Sequence, residues 1–211
     1  MRGPEPAKQI LQWHLYPTTS TCYIWGKKHR RVTCFMSDGS FKSGDMEAFL
    51  ASLKGISAAR VVEFGTNENS CLELLVASVD WTDKVELHCV PSFESSGAED
   101  AFDSVLTRSA ERSEVQFNLT KHFGTENEVN DAVMNLAEAS QYDAAYIASS
   151  RSPEELLTTL LVCNEALRSK GVLAIADAGE VSTSLEVALN SFKEMFSDMY
   201  TEIAHQIFVK S

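Results

Sequence analysis

The chain has 211 residues, 44% of them hydrophobic and 23% charged, which suits one domain with a full core and leaves no room for a second. No apolar run approaches the roughly 20 residues of a bilayer span, and the first fifteen residues hold two prolines and a glutamate, so neither a span nor a secretory signal is expected. The formal charge of −12 is split: residues 1–43 carry seven Lys/Arg against two acids, leaving eleven bases against twenty-eight acids in the rest. A body this acidic repels phosphate backbones and excludes it from nucleic-acid binding, which only the N-terminal segment could supply. Cys22, Cys34, Cys71, Cys89 and Cys163 are an odd set without a CxxC pair, as expected of reduced thiols in an intracellular protein, in the cytoplasm or an organelle.

In chain order, residues 19–36 read as two β-rich runs, TSTCYIW and RVTCFM, joined by Gly26-Lys27-Lys28-His29-Arg30-Arg31, which predicts an N-terminal hairpin. Asp45 to Leu53 has an acidic start and helical spacing of Met46, Phe49, Leu50 and Leu53. From Arg60 onward, apolar β-type runs at 60–64, 85–90, 114–119, 143–148 and 171–176 alternate with helical stretches at about 69–79, 98–111, 127–140 and 153–169. That alternation predicts a mostly parallel sheet with helices on both faces. Residues 182–196 read as a further helix. The tail YTEIAHQIFVK predicts one or two last strands and is short for a full hairpin.

In such sheets a ligand sits beyond the carboxyl ends of the strands, so the loops there hold the informative residues. Four of these stations read EFGTNENSC, VPSFESS, YDAAYIASSR and LRSKGVLAIADAG. They resemble, station by station from about Phe41 to the C-terminus, the class I S-adenosylmethionine-dependent methyltransferases whose members read roughly EIGSFEGxS, IDTFEGS, FDFIYIDGSH and LLKPGGxLIFDDY. The resemblance implies a Rossmann-like, doubly wound α/β fold, here with an N-terminal β-hairpin extension. It divides the chain into a basic extension at 1–43 and a methyltransferase-like domain at 44–211. It also implies small-molecule or sugar O-methyl transfer, S-adenosylmethionine as cofactor and, in some members, a divalent metal. Cofactor-binding residues on this reading are Glu63, Gly65, Thr66, Glu68, Asn69 and Glu94.

The departures fall on the chemical positions. Asn69 replaces the family's second glycine, putting a side chain where the cofactor lies against bare backbone. Pro91 stands where an acid accepts from the ribose hydroxyls; Glu94, three residues on, is the alternative acceptor, against its reading as a solvated glutamate. Ala148 and Arg151 replace the Asp and His that act as metal ligand and base. Alanine binds nothing, and an always-protonated arginine is an anion clamp rather than a base. Asp177-Ala178 leaves one carboxylate of a paired set, too few for a hard cation and equally a turn cap, so no metal is expected. Asp177 and Arg151 are the remaining catalytic candidates.

His14, His29, His88, His122 and His205 show no metal spacing, and His88 reads as a hydrogen-bonded core residue. Cys71 opens a helix without a base near it in sequence. The KKHRR run is a solvated hairpin tip, a contact for the acidic body of a neighbouring subunit, or an RNA contact through Lys27, Lys28, Arg30 and Arg31. Three functions follow. The first is a non-catalytic scaffold, subunit or regulator with a protein partner or a second copy of itself. The second is an active methyltransferase with atypical ligands, since methyl transfer needs mainly positioning. The third is RNA binding through the basic hairpin.

Overall fold

The computed structural model describes residues 14–15, 19–24, 43–66, 84–91, 116–122, 126–148, 152–176 and 183–211. These form strands β1 (His14–Leu15), β2 (Thr19–Ile24), β3 (Ala58–Thr66), β4 (Lys84–Pro91), β5 (Gln116–His122), β6 (Tyr142–Ile147), β7 (Leu167–Ile175), β8 (Tyr200–Ala204) and β9 (Ile207–Lys210). The helices are α1 (Ser43–Leu53), α2 (Glu126–Ala139), α3 (Pro153–Ala166) and α4 (Thr183–Met195). One nine-stranded sheet runs in the order β1-β2-β5-β4-β3-β6-β7-β9-β8. Strands β5, β4, β3, β6 and β7 are mutually parallel, while β9 runs antiparallel to β7 and β2 antiparallel to β5. All five strands expected from the alternating pattern are present. The helical stretches at 69–79 and 98–111 and the run RVTCFM lie outside the described residues.

Alternation along the strands sorts the core into two layers, because successive side chains point to opposite faces. Val61, Leu87, Cys89, Ala144, Tyr146 and Ala174 pack on one face with Phe49 and Leu53 of α1. Val62, Phe64, Ala145, Ile147 and Leu173 pack on the other with α2, α3 and α4. In α2 the buried positions are Val129, Val133 and Ala137, each four apart, so one stripe of an otherwise polar helix meets the sheet. The start of α3 is written in Ser152-Pro153-Glu154-Glu155. The Ser152 Oγ accepts from the Glu155 N–H at 3.1 Å, Pro153 has no N–H to lose, and two acids face the helix dipole.

Two expectations are corrected. The helix predicted over 153–169 stops at Ala166, since Leu167 is extended and joins β7 opposite Tyr142. Lys210 fastens that end by donating its Nζ to the carbonyls of Asn164 at 2.5 Å and Leu167 at 2.9 Å. The tail makes a full hairpin despite its length, with β8 and β9 antiparallel across His205 and Gln206. Gln206 adopts φ 56, and its N–H donates to Glu202 Oε1 at 3.1 Å. Only the second residue of the turn has positive φ, and the ladder shifts register between Glu202 and Ala204 beside it, so an irregular turn closes the hairpin in few residues.

Candidate functional site

Strand order reverses direction between β3 and β6, and the carboxyl ends of β3, β4, β6 and β7 meet there. Ladder bonds persist to those ends: the Ala148 N–H donates to the Phe64 carbonyl and the Ala176 N–H to the Ile147 carbonyl, both at 2.8 Å. Between Phe64 and Thr66 the register against β4 shifts, Phe64 lying opposite Val90 and Thr66 opposite Pro91. Gly65 is the bulged residue, with φ 73, a left-handed value that costs an L-residue roughly 1–2 kcal/mol. A glycine therefore shapes the carboxyl end of β3, where the strand order reverses. Gly65→Val is expected to lower stability by about 1–2 kcal/mol, and Gly65→Asn by less, since asparagine tolerates this region best. Chemical denaturation of the two variants checks the ranking, and equal loss in both would contradict it.

Glu63 is fully buried and in register with Cys89 on one side and Tyr146 on the other, both in the α1-side core. Lys121, 2% exposed, is the register partner of Cys89 on β5, so a buried acid and a buried base occupy one row near the strand ends. Ala148 is 4% exposed beyond β6, and Pro91 closes β4 opposite Thr66. The structure thus brings together Glu63, Gly65 and Thr66 with the two replaced positions Pro91 and Ala148. Glu68, Asn69, Glu94, Arg151 and Asp177 lie outside the described residues, as do Cys71, Lys27, Lys28, Arg30 and Arg31.

A second polar group occupies the α2-side face of β3, β4 and β5. Arg60 Nε donates to Glu86 Oε1 at 3.0 Å, and Glu86 Oε1 accepts from His88 Nε2 at 2.8 Å. His88 Nδ1 is 3.0 Å from His122 Nε2. Arg60 also donates through Nη1 to the carbonyls of Leu136, at 3.1 Å, and Ser140, and its guanidinium lies 4.7 Å from the Tyr142 ring centre. The backbone N–H of Arg60 donates to Asp143 Oδ2 at 2.7 Å; Asp143 Oδ1 lies 2.6 Å from Arg168 Nε, an ion pair rather than a directed hydrogen bond. The hydrogen bond from His88, supported by the Arg60 charge, holds the Glu86 carboxyl down at about 2 against burial that opposes it. Burial pushes the Tyr142 phenol above its ordinary value, so it stays protonated.

His88 is the hydrogen-bonded core histidine its strand position implied. Its partners Arg60, Glu86, His122 and Tyr142 were not singled out for a site. The signal was the period-two pattern: Glu86 and His88 alternate with Leu87 and Cys89, and Asn118, Thr120 and His122 alternate likewise. Register then sets Glu86 opposite Asn118 and His88 opposite Thr120.

No protein-family model matches the chain, and no curated protein matches it in sequence. Solved structures do resemble it. The O-methyltransferase from Bacillus cereus, solved in complex with SAH, superposes with a TM-score of 0.56 at 10% identity, over 83% of this chain and 84% of that one. Precorrin-6y C5,15-methyltransferase from Geobacter metallireducens superposes with a TM-score of 0.52 at 14% identity, over 80% of this chain and 86% of that one. With the strand order, the reversal between β3 and β6 and the glycine bend at the end of β3, these likenesses identify the fold as that of the class I methyltransferases.

Proposed function

We propose that this chain is a methyltransferase-fold protein that works without catalysing methyl transfer, as a scaffold, subunit or regulator. The observation that carries the reading is the pair of residues at the carboxyl ends of the strands where the strand order reverses. Pro91 closes β4 where an acceptor for ribose hydroxyls belongs, and Ala148 is buried beyond β6 where an acid belongs. The residues fit S-adenosylmethionine only in part. Gly65 leaves room for backbone to approach a cofactor, and Glu63 keeps its place. Proline offers the ribose neither donor nor side-chain acceptor, and alanine neither binds a metal nor moves a proton.

Residues 1–43 form, on this reading, an arm separate from the domain at 44–211. The charge split between them supports it, although β2 is laid along β5 as a strand of the domain's own sheet, and the opposite charges of arm and body favour a second copy or an acidic protein as partner. The competing reading, an active S-adenosylmethionine-dependent methyltransferase, is favoured by one observation, the retention of Glu63 with the positive-φ Gly65. Calorimetric titration of the full chain with S-adenosylmethionine and S-adenosylhomocysteine separates the two. Silence at millimolar ligand, with no rise in Tm, is expected. Micromolar binding would overturn the proposal and turn attention to the methyl acceptor.

A further inference from the structure

The side chains of Glu86, His88 and His122 form a chain whose protons are assigned by chemistry alone. An ionised carboxylate only accepts, so the His88 Nε2 carries the hydrogen that meets Glu86 Oε1. Neutral His88 then has a bare Nδ1, and His122 must donate to it from Nε2. The two rings are close to coplanar, 22° apart, with centroids separated by 5.2 Å. That separation is the 3.0 Å contact plus about one ring radius at each end, so the nitrogens point at each other in line and leave no space for a metal between them. The last atom, His122 Nδ1, is a buried lone pair with no hydrogen-bond partner among the described residues.

We propose that this chain is a proton-operated clasp: with His122 neutral it fastens β5 to the sheet, and protonation of His122 releases β5 together with the N-terminal strand β2. A proton on Nδ1 would place a charge in a site 1% exposed without an acceptor, a large cost that outward movement of the strand removes. The charged groups around it oppose relief from within. Arg60 on β3 adds a fixed positive charge, and Glu86 on β4 is already engaged by Arg60 and His88. Tyr142 on β6 is neutral, and β2 carries no acid or base in Thr19–Ile24 beyond Cys22 and Tyr23. On α2, Glu128, Asp131 and Glu138 lie on its exposed side.

Strand β5 is the element that yields because its α2-side residues, Asn118, Thr120 and His122, are all polar and add no apolar hold. It also carries the whole ladder to β2, from Thr19 opposite His122 to Ile24 opposite Phe117.

Burial, with the fixed Arg60 charge, lowers the His122 pKa from 6.5 to about 4. A base with a depressed folded value contributes stability that is complete above pH 6.5 and is lost as pH falls towards 4. Hydrogen exchange of the full chain at pH 7.5 and 5.0, corrected for intrinsic rates, is therefore expected to show β2 and β5 amides opening about 30-fold more at the lower pH. Amides of β6 and β7 should change far less. His122→Phe should abolish the difference. Equal loss of protection in all strands, unchanged β5 protection, or a His122→Phe variant that keeps the pH response would each overturn the clasp. Should that variant fail to fold, NMR titration of the native His122 decides. Protonation coincident with β5 opening supports the clasp, and titration between pH 6 and 7 with β5 amides still protected refutes it.

Discussion

Replacing Phe192 by alanine is expected to lower the unfolding free energy by about 3–5 kcal/mol, the range for deleting a buried aromatic ring. Phe192 is 1% exposed on α4. Its ring centre lies 4.9 Å from that of Phe196 and 5.4 Å from that of Tyr200, so one ring joins the last helix to the C-terminal hairpin. Neighbouring parts are pinned independently: Tyr200 donates to Asn164 Oδ1 at 3.2 Å, and Lys193 pairs with Glu202 at 3.1 Å. The site therefore has little freedom to collapse into the void, which places the loss toward the upper end. Urea unfolding at pH 7.5 measures it. A loss below about 1 kcal/mol would mean the hairpin is held by its ladder to β7 alone. Phe192→Leu should retain more than half of the stability that the alanine variant forfeits.

Arg60→Met is expected to cost about 1–2 kcal/mol although it removes only one side chain from the start of β3. The guanidinium serves Glu86 and the carbonyls of Leu136 and Ser140 together, and its side chain is 12% exposed. Methionine of similar length fills the space over Tyr142 but donates to none of these acceptors; Ser140 is exposed and the Glu86 side chain 38% exposed, so water replaces part of what is lost. The variant also carries a pH signature that simple loss of packing would not produce. In the native chain Glu86 is depressed from 4.5 to about 2, so its stabilising contribution is complete above pH 4.5 and is lost as pH falls through 2. Without the Arg60 charge the folded value rises, and the acid-induced loss begins at higher pH. A variant whose stability falls while its acid midpoint stays put would contradict this account.

The two variants probe different kinds of design. Phe192 belongs to a layer that repeats throughout the sheet and would serve any member of this fold. Arg60, Glu86, His88 and His122 form a polar line across three strands, on a face where hydrophobic residues would pack at no desolvation cost. Polar residues in such a place specify register or serve a switch in some proteins rather than add net stability, and a switch is the role the clasp assigns them.

How much was legible beforehand can be judged from particular residues. The alternation of short β-type runs with helical stretches determined the parallel sheet, and Glu63-Phe64-Gly65 marked the carboxyl end of its central strand, because both depend on patterns within one segment; the bulge that carries the strand on to Thr66 depends on its pairing with β4. The start of α3 was equally readable, since Ser152, Pro153 and Glu155 act within a single turn. The tail hairpin was misjudged because its turn consists of two residues and rests on a left-handed Gln206, which carries no glycine signal. The end of α3 was misplaced because Lys210, 46 residues away from Asn164, holds it. The same reason hid the clasp. His88 and His122 are 34 residues apart and Arg60 and Glu86 are 26 apart. The local pattern marked each as polar on a strand, but only the pairing register of β3, β4 and β5 puts their nitrogens and oxygens in line.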